Sequence, residues 1–298
     1  MHKRIGLIVN PTSGKGRGAR IGAEVAARLA ADGHEVLDLS DETAAAARDR
    51  GLAAVASGLD VLAVTGGDGI VNLGVNLCAG TGTALAIVAA GTGNDIARGL
   101  GLPVHDPLAA AAVIGNGGVR AIDAARCHDD FGDPRWFAGV LGAGFDSIVN
   151  ERANRWGWPR GRMRYNLAIA RELPVFKPIP YVIEVDGRRQ ETEAMLVAVG
   201  NGPSYGGGMR VCPDARLDDG ELDVMVLHRI TIPEFLRVFP TVFKGTHVNH
   251  PAVEVLRGRR VTLEAAGIMA YADGERFAPL PMTCEAVPGA LRVMVPCP

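Results

Sequence analysis

Three short stretches in the first third of the chain combine glycines with small polar residues in the way that oxyanion-binding loops require. They are Asn10-Pro-Thr-Ser-Gly-Lys-Gly-Arg-Gly18, Thr65-Gly-Gly-Asp-Gly69 and Ala90-Gly-Thr-Gly-Asn-Asp95. Glycine lets a ligand approach the main chain and meet its N–H groups, and a helix starting at the loop adds the positive end of its dipole. With Lys15 alongside, the first loop makes a phosphate cradle, although taken alone it is equally an ordinary glycine-rich turn. In the second, Gly66 and Gly67 open the main chain while Asp68 puts a carboxylate where Mg²⁺ or a phosphate-bound water can sit. In the third, Thr92 and Asn94 offer uncharged hydrogen bonds, and Asp95 offers a carboxylate or a helix N-cap.

Two familiar phosphate motifs do not account for these loops. The GxxxxGK[ST] spacing is missing. A loose GxGxxA runs from Gly14 to Ala19 with Asp38 beyond it, but a dinucleotide loop turns into its first glycine directly from the strand, whereas here Asn10 ends the strand well before Gly14.

The loops need strands to deliver them. Ile5–Val9 is an apolar run, and Ile21, Val25 and Leu29 recur at helical spacing between Ala19 and Ala31. Strands are then predicted over Glu35–Leu39, Val61–Val64 and Leu85–Val88, with helices over Thr43–Ser57, Gly69–Cys78, Asp95–Leu100 and Pro107–Gly115. This alternation predicts a parallel sheet with helices on both faces, and loops at the carboxyl ends of such strands converge on one crevice. After about Ile122 short β-rich runs follow one another at Trp136–Leu141, Tyr181–Val185, Met195–Val199, Leu222–Leu227, Val261–Glu264 and Leu291–Val295. They predict an antiparallel, sandwich-like β domain. A helical stretch at Ile148–Leu173 and an amphipathic one near Ile232–Phe243 interrupt it. The fold expected is therefore an α/β nucleotide-binding domain over residues 1–122 and a β-rich domain over 123–298, with the active site in the cleft between them.

In their order along the chain these motifs resemble the diacylglycerol kinase catalytic domain family. The resemblance rests on Asn10-Pro-Thr-Ser-Gly-Lys-Gly, on Gly66-Gly-Asp-Gly with Asn72, and on Gly91-Thr-Gly-Asn-Asp-Ile-Ala-Arg98. It continues through Gly144-Phe-Asp146, Asn201 with Tyr205-Gly-Gly-Gly208, Pro213 with Ala215 and Leu217-Asp-Asp-Gly220, and Asp273-Gly-Glu275, so that it covers essentially the whole chain. Bacterial lipid kinases are the nearest pattern, with sphingosine and ceramide kinases more distant.

The resemblance implies an ATP- and Mg²⁺-dependent kinase that phosphorylates a hydroxyl of a lipid. It implies that Asn10, Pro11, Thr12, Ser13, Gly14 and Lys15 hold the nucleotide together with Gly66, Gly67, Asp68, Gly69 and Asn72, with Thr92 and Asn94 beside them. Ser40 takes the place of a family threonine near the nucleotide, or Thr43 does. Asp68 and Asp95 would organise Mg²⁺ and the polar network of the cleft, and Glu275, with Asp273, would accept the substrate's hydroxyl proton. Read without the family, Asp273-Gly-Glu275 is a β-turn with two solvated acids. The Leu217-Asp-Asp-Gly loop resembles a second, structural Mg²⁺ site, with a carboxylate from Asp219 and carbonyls from Arg216 and Glu221. Ile70 departs from the family, which commonly has threonine directly after GGDG. A soluble-acceptor kinase of the NAD kinase type, which shares the GGDG element, and a silent nucleotide- or lipid-binding regulator are the alternatives.

Composition narrows the partners. Thirty-one Lys and Arg against 33 Asp and Glu leave a formal charge of -2, so no global field points to nucleic acid. The five cysteines are scattered without a CxxC pair, which indicates neither a disulfide framework nor structural zinc. The chain enters a strand directly at its start and carries no long apolar span, which predicts a cytoplasmic protein, at most peripheral to a membrane. Between Arg152 and Arg164 lie five arginines, no carboxylate, and Trp156 and Trp158, a mixture suited to an anionic membrane interface. A solvated helix face or a contact between domains or subunits reads the same way, and a homodimer is left open. His247-x-x-His250 has metal-ligand spacing without a third ligand and is expected to be solvated. Met225, Leu227, Leu236 and Phe239 could line a lipid cleft or simply pack a core.

Overall fold

The structure is a computed structural model that describes residues 2–128, 132, 134–156, 158, 162–172 and 176–297. Its N-terminal part runs β1 (Arg4–Val9), α1 (Ser13–Gly16), α2 (Gly18–Ala31), β2 (Glu35–Asp38), α3 (Ala44–Ala56), β3 (Val61–Gly66), α4 (Asp68–Cys78), β4 (Ala84–Ala89), α5 (Asp95–Gly99) and α6 (Pro107–Asn116). Strands β4, β3, β1 and β2 are parallel and adjacent in that order. Both β3 and β4 are buried along their whole length, as strands covered by helices on each face must be. Helix α4 buries Val71, Val75 and Cys78 against this sheet, each such side chain contributing about 1.5–3 kcal/mol. Gly74 brings it close, since a Cβ there would overlap Leu85.

The remainder runs β5 (Gly118–His128), β6 (Arg135–Phe137), β7 (Val140–Gly144), α7 (Phe145–Arg155), α8 (Arg162–Glu172), β8 (Ile179–Val185), β9 (Arg188–Gly200) and β10 (Leu222–His228). It continues with α9 (Ile232–Val238), two 3₁₀ turns (Phe239–Lys244 and Thr246–Asn249), β11 (Val253–Gly258), β12 (Arg260–Glu264), β13 (Met269–Ala272), β14 (Glu275–Pro279) and β15 (Met282–Val295). Apart from one parallel contact of β15 with β4, its strands pair antiparallel, so the two-part arrangement expected from the sequence is present.

Several elements differ from expectation for identifiable reasons. The run Trp136–Leu141 is two strands, because the amides of Ala138, Gly139 and Val140 leave the ladder to donate to Asp273. The stretch Ile148–Leu173 is two helices, α7 stopping at Trp156, just ahead of Gly157 and Pro159. The segment Ile232–Phe243 is a short α-helix that tightens into a 3₁₀ turn at Phe239-Pro240. Strand β15 is far longer than Leu291–Val295; it pairs with β5 along most of its length and touches β4 at Val293. The two parts are thereby joined through one hydrogen-bonded network.

Candidate functional site

The three glycine loops meet at the carboxyl ends of β1, β3 and β4. Asn10 donates its N–H to Thr65 O at 2.9 Å, and its Oδ1 accepts from the N–H and hydroxyl of Thr12 at 3.1 and 2.8 Å, which sets the turn into α1. A Cβ on Gly66 would fall 2.8 Å from Ser13 Oγ, and one on Gly91 would overlap Gly67 Cα. Gly14 has φ of 58° and lies against Ala90 O. Glycine is thus required where these loops touch, not merely where they turn. Lys15 has its main chain in α1, and its side chain lies outside the described residues.

Carboxylates tie the loops to one another and to the second part of the chain. Asp68, the first residue of α4, accepts from the N–H groups of Asn94 and Asp95 at 3.1 and 3.0 Å. Desolvation and the neighbouring Asp95 charge raise its pKa. Asn94 adopts φ of 55° and exchanges two hydrogen bonds with the main chain of Gly91, at 3.0 and 2.9 Å, so it shapes the third loop from within. Asp95 accepts from Gly207 and Gly208 N–H at 2.7 Å each, fastening that loop to the Tyr205-Gly-Gly-Gly turn.

The two acids of Asp273-Gly-Glu275 part company. Asp273 is buried with φ of 51°; its oxygens accept from the N–H groups of Ala138, Gly139 and Val140 and from Asn72 Nδ2, at 3.0–3.3 Å. Burial raises its pKa to about 6. Asp273 and Asn72, expected at the substrate and the nucleotide, hydrogen-bond to each other at 3.2 Å, and each also lines one of the two cavities beside Glu275. Glu275 opens β14 with its carboxylate over Gly69, and desolvation raises its pKa.

Two cavities of mixed polar and apolar lining meet at Glu275. One, of about 960 Å³, runs past Asn10, Pro11, Ser13, Thr43 and Ile70; the other, of about 540 Å³, is lined by Asp68, Thr92, Asp95 and Tyr205. Gly67, Gly69 and Glu275 line both. The structure brings Thr43, not Ser40, to the wall. Thr43 caps α3 through Ala46 N–H at 3.1 Å, whereas Ser40 Oγ accepts from Val9 N–H at 3.0 Å and staples the end of β1.

A third cavity, more enclosed than the other two and with about 60 Å³ of free space, is apolar and shares Tyr205 with the second. Met225, Leu227 and Phe239 line it, as the lipid-cleft reading allowed, while Leu236 points away and is 59% exposed. The Tyr205 hydroxyl donates to Asp146 at 2.8 Å, and burial raises Asp146 to about 6. His247 also lines this cavity and is buried, contrary to the solvated reading, with Nε2 3.1 Å from Val211 O. The sequence had no signal for this placement, because the covering 3₁₀ turns carry no periodic pattern.

Beside the second expected metal position lies Arg257. Arg257 reaches Asp219 at 2.9 Å, Asp223 at 2.8 Å and Glu221 at 3.4 Å, while Arg216 pairs with Asp218. Among the described residues no group of three acidic, histidine or cysteine side chains could hold a metal ion. In the arginine-rich segment, Arg152 pairs with Glu172 and Arg155 lies 4.0 Å from Glu151. Trp158 is 80% exposed; Arg160 and the side chains of Arg162 and Arg164 lie outside the described residues. No helix among the described residues is long and apolar enough to cross a membrane.

Comparison with known proteins finds relatives along the whole chain. Residues 4–127 match the family profile described as the diacylglycerol kinase catalytic domain, and residues 139–295 match the YegS C-terminal NAD kinase beta sandwich-like domain. The chain is 42% identical to the Mycobacterium tuberculosis protein named diacylglycerol kinase, over 98% of this chain and 95% of that one. It is 30% identical to the Bacillus subtilis protein of the same name, covering 94% and 92%. A solved Bacillus anthracis str. Sterne chain, provisionally described as a diacylglycerol kinase, superposes with a TM-score of 0.79 at 26% identity, covering 98% and 97%. An Archaeoglobus fulgidus NAD kinase solved with ATP shares the fold, with a TM-score of 0.54 at 12% identity, covering 98% and 93%.

Proposed function

The chain belongs to the diacylglycerol kinase family, a family of kinases, and on that premise we propose that it transfers the γ-phosphate of ATP to the free hydroxyl of a diacylglycerol-like lipid. The observation that carries this reading is the position of Glu275, at the junction of two cavities, one of which shares Tyr205 with an apolar chamber. ATP occupies the larger cleft, its phosphates on the N–H groups around Asn10–Gly14 and Gly66–Gly69, with Thr43 at the far wall. The lipid hydroxyl enters from the Tyr205 side.

Transfer then needs an activated oxygen and neutralised phosphate charge. Glu275 takes the hydroxyl proton as the alcohol oxygen bonds to phosphorus and the bond to the ADP oxygen breaks, a general-base contribution of roughly 10²–10⁴-fold. Asp68 and Asp95 fit a hard cation, because each carboxylate oxygen accepts one N–H and keeps a lone pair beside the cavity. Mg²⁺ held there supplies charge neutralisation for the phosphates. At the loop expected to hold a second Mg²⁺, the Asp219 carboxylate is paired with Arg257 at 2.9 Å. Asp273 serves as a positioning residue, holding Ala138–Val140 and Asn72 against the turn that presents Glu275.

The test is transfer of labelled γ-phosphate, with Mg²⁺, to defined lipids in mixed micelles. A labelled product that disappears in Asp68→Ala and Glu275→Ala supports the reading. Nucleotide binding without transfer to any lipid overturns it.

A further inference from the structure

The connection between β10 and β11 covers the apolar chamber as α9 and its 3₁₀ turns, and it is apolar on two sides. Phe235, Val238, Phe239 and Val242 line the chamber. Ile232, Leu236 and Phe243 lie outside, 41%, 59% and 40% exposed. A surface helix that buries one apolar stripe ordinarily presents polar residues opposite it, so a second apolar stripe marks a contact.

Charge and volume indicate what makes that contact. The segment around it carries Arg229, Arg237 and Lys244 against Glu234, in a chain whose total formal charge is negative. Glu234 is itself engaged, through the Thr231 N–H and His250 Nε2 at 3.4 Å each. The outer face is thus apolar with a basic surround, complementary to an anionic lipid layer. The chamber beneath has free space of about 60 Å³, far below the few hundred cubic ångströms of an ordinary ligand pocket, so it does not enclose an acyl chain in this arrangement. What closes it is a short helix, 3₁₀ turns of poorer hydrogen-bond geometry, and the aromatic contacts Phe145–Phe235 and Phe235–Phe239 at 5.6 and 5.5 Å. Met209 and Met225, also in the chamber's lining, can repack.

We propose that the segment Ile232–Lys244 is a lipid-docking strap: its outer residues Ile232, Leu236 and Phe243 enter an anionic lipid layer, and its inner aromatics yield to let an acyl chain into the chamber. The acyl-chain half rests on the lipid-kinase reading, whereas the docking half can be read without it.

The experiment compares wild type with Leu236→Ser/Phe243→Ser in co-sedimentation with phosphatidylglycerol–phosphatidylcholine vesicles. Phosphate transfer is measured in parallel to a long-chain diacylglycerol in those vesicles and to a short-chain diacylglycerol dissolved as monomers. Leu236 is 59% exposed and Phe243 40%, its ring edge-on to Phe239 at 6.3 Å, so the melting temperature is expected to fall by only about 2–4 °C. Vesicle binding is expected to fall about tenfold or more, with long-chain transfer falling alongside and short-chain transfer unchanged within about twofold. Arg237→Glu/Lys244→Glu is expected to remove the preference for anionic over pure phosphatidylcholine vesicles. Vesicle binding by the Ser variant equal to wild type, or failure of wild type to bind vesicles, would overturn the proposal, as would equal losses on both substrates. Strap-dependent vesicle binding with no transfer to either lipid would overturn the lipid-kinase reading and leave the docking face standing.

Discussion

The carboxylate of Glu275 lies so close above Gly69 that a Cβ built on that glycine would sit 3.1 Å from Glu275 Cδ and overlap Oε1. The glycine that ends the Gly-Gly-Asp-Gly loop thus does two things: it opens the main chain toward a phosphate, and it leaves room for the acid delivered from β14, some two hundred residues later.

Gly69→Ala therefore displaces the proposed base without touching the core. The flexible end of Glu275 can swing aside, so the melting temperature is expected to stay within about 2–4 °C of wild type. The transfer rate is expected to fall by on the order of 10²-fold, the effect of misplacing a catalytic group by about an ångström. Calorimetry and steady-state kinetics on the same preparation check both.

Asp273→Asn has the opposite signature. Asp273 accepts from three main-chain N–H groups and Asn72, and an asparagine in its place turns an NH₂ group toward donors. A destabilisation of about 2–4 kcal/mol is expected in urea unfolding, against less than about 0.5 kcal/mol for Glu275→Gln at the exposed rim.

Asp146 gives a stability signature in pH. Its folded pKa, about 6, is above the ordinary value of 3.8, so the folded state holds the proton more tightly than the unfolded one. Its contribution is fully present below about pH 4 and is lost as pH rises through 6. Relative to Asp146→Asn, wild type is expected to lose on the order of 3 kcal/mol between pH 4 and pH 7. A constant difference across that window would show that burial does not raise this carboxyl.

Arg257 pairs with Asp219, the carboxylate expected at a second metal ion, and with Asp223 beside it. Asp223, nearly buried, depends on it, so Arg257→Met is expected to cost about 3–5 kcal/mol by leaving that acid without its cation. Urea unfolding of wild type and variant reads that loss directly.

The parallel half of the fold was legible because β1, β3 and β4 are continuous apolar runs and each glycine loop falls at a strand end. The cleft acids were legible through motif order alone; nothing local in Asp273-Gly-Glu275 says that one acid turns inward and the other toward the cleft. That division is decided by long-range donors, the amides of Ala138–Val140, which arrive from elsewhere in the chain. Ser40 and Thr43 could not be separated for a similar reason, since one hydrogen bond to Val9 keeps Ser40 at the strand end. Arg257 was not foreseen because it comes from β11, and cross-strand register is not written in either strand by itself.

The central claim, that Glu275 is the base of a phosphoryl transfer to a lipid hydroxyl, is tested most directly by single-turnover transfer from ATP to a diacylglycerol in mixed micelles, comparing wild type with Glu275→Gln. Transfer slowed by roughly 10²–10⁴-fold, with ATP affinity and melting temperature unchanged, is the predicted result. Transfer by the variant at the wild-type rate would contradict it.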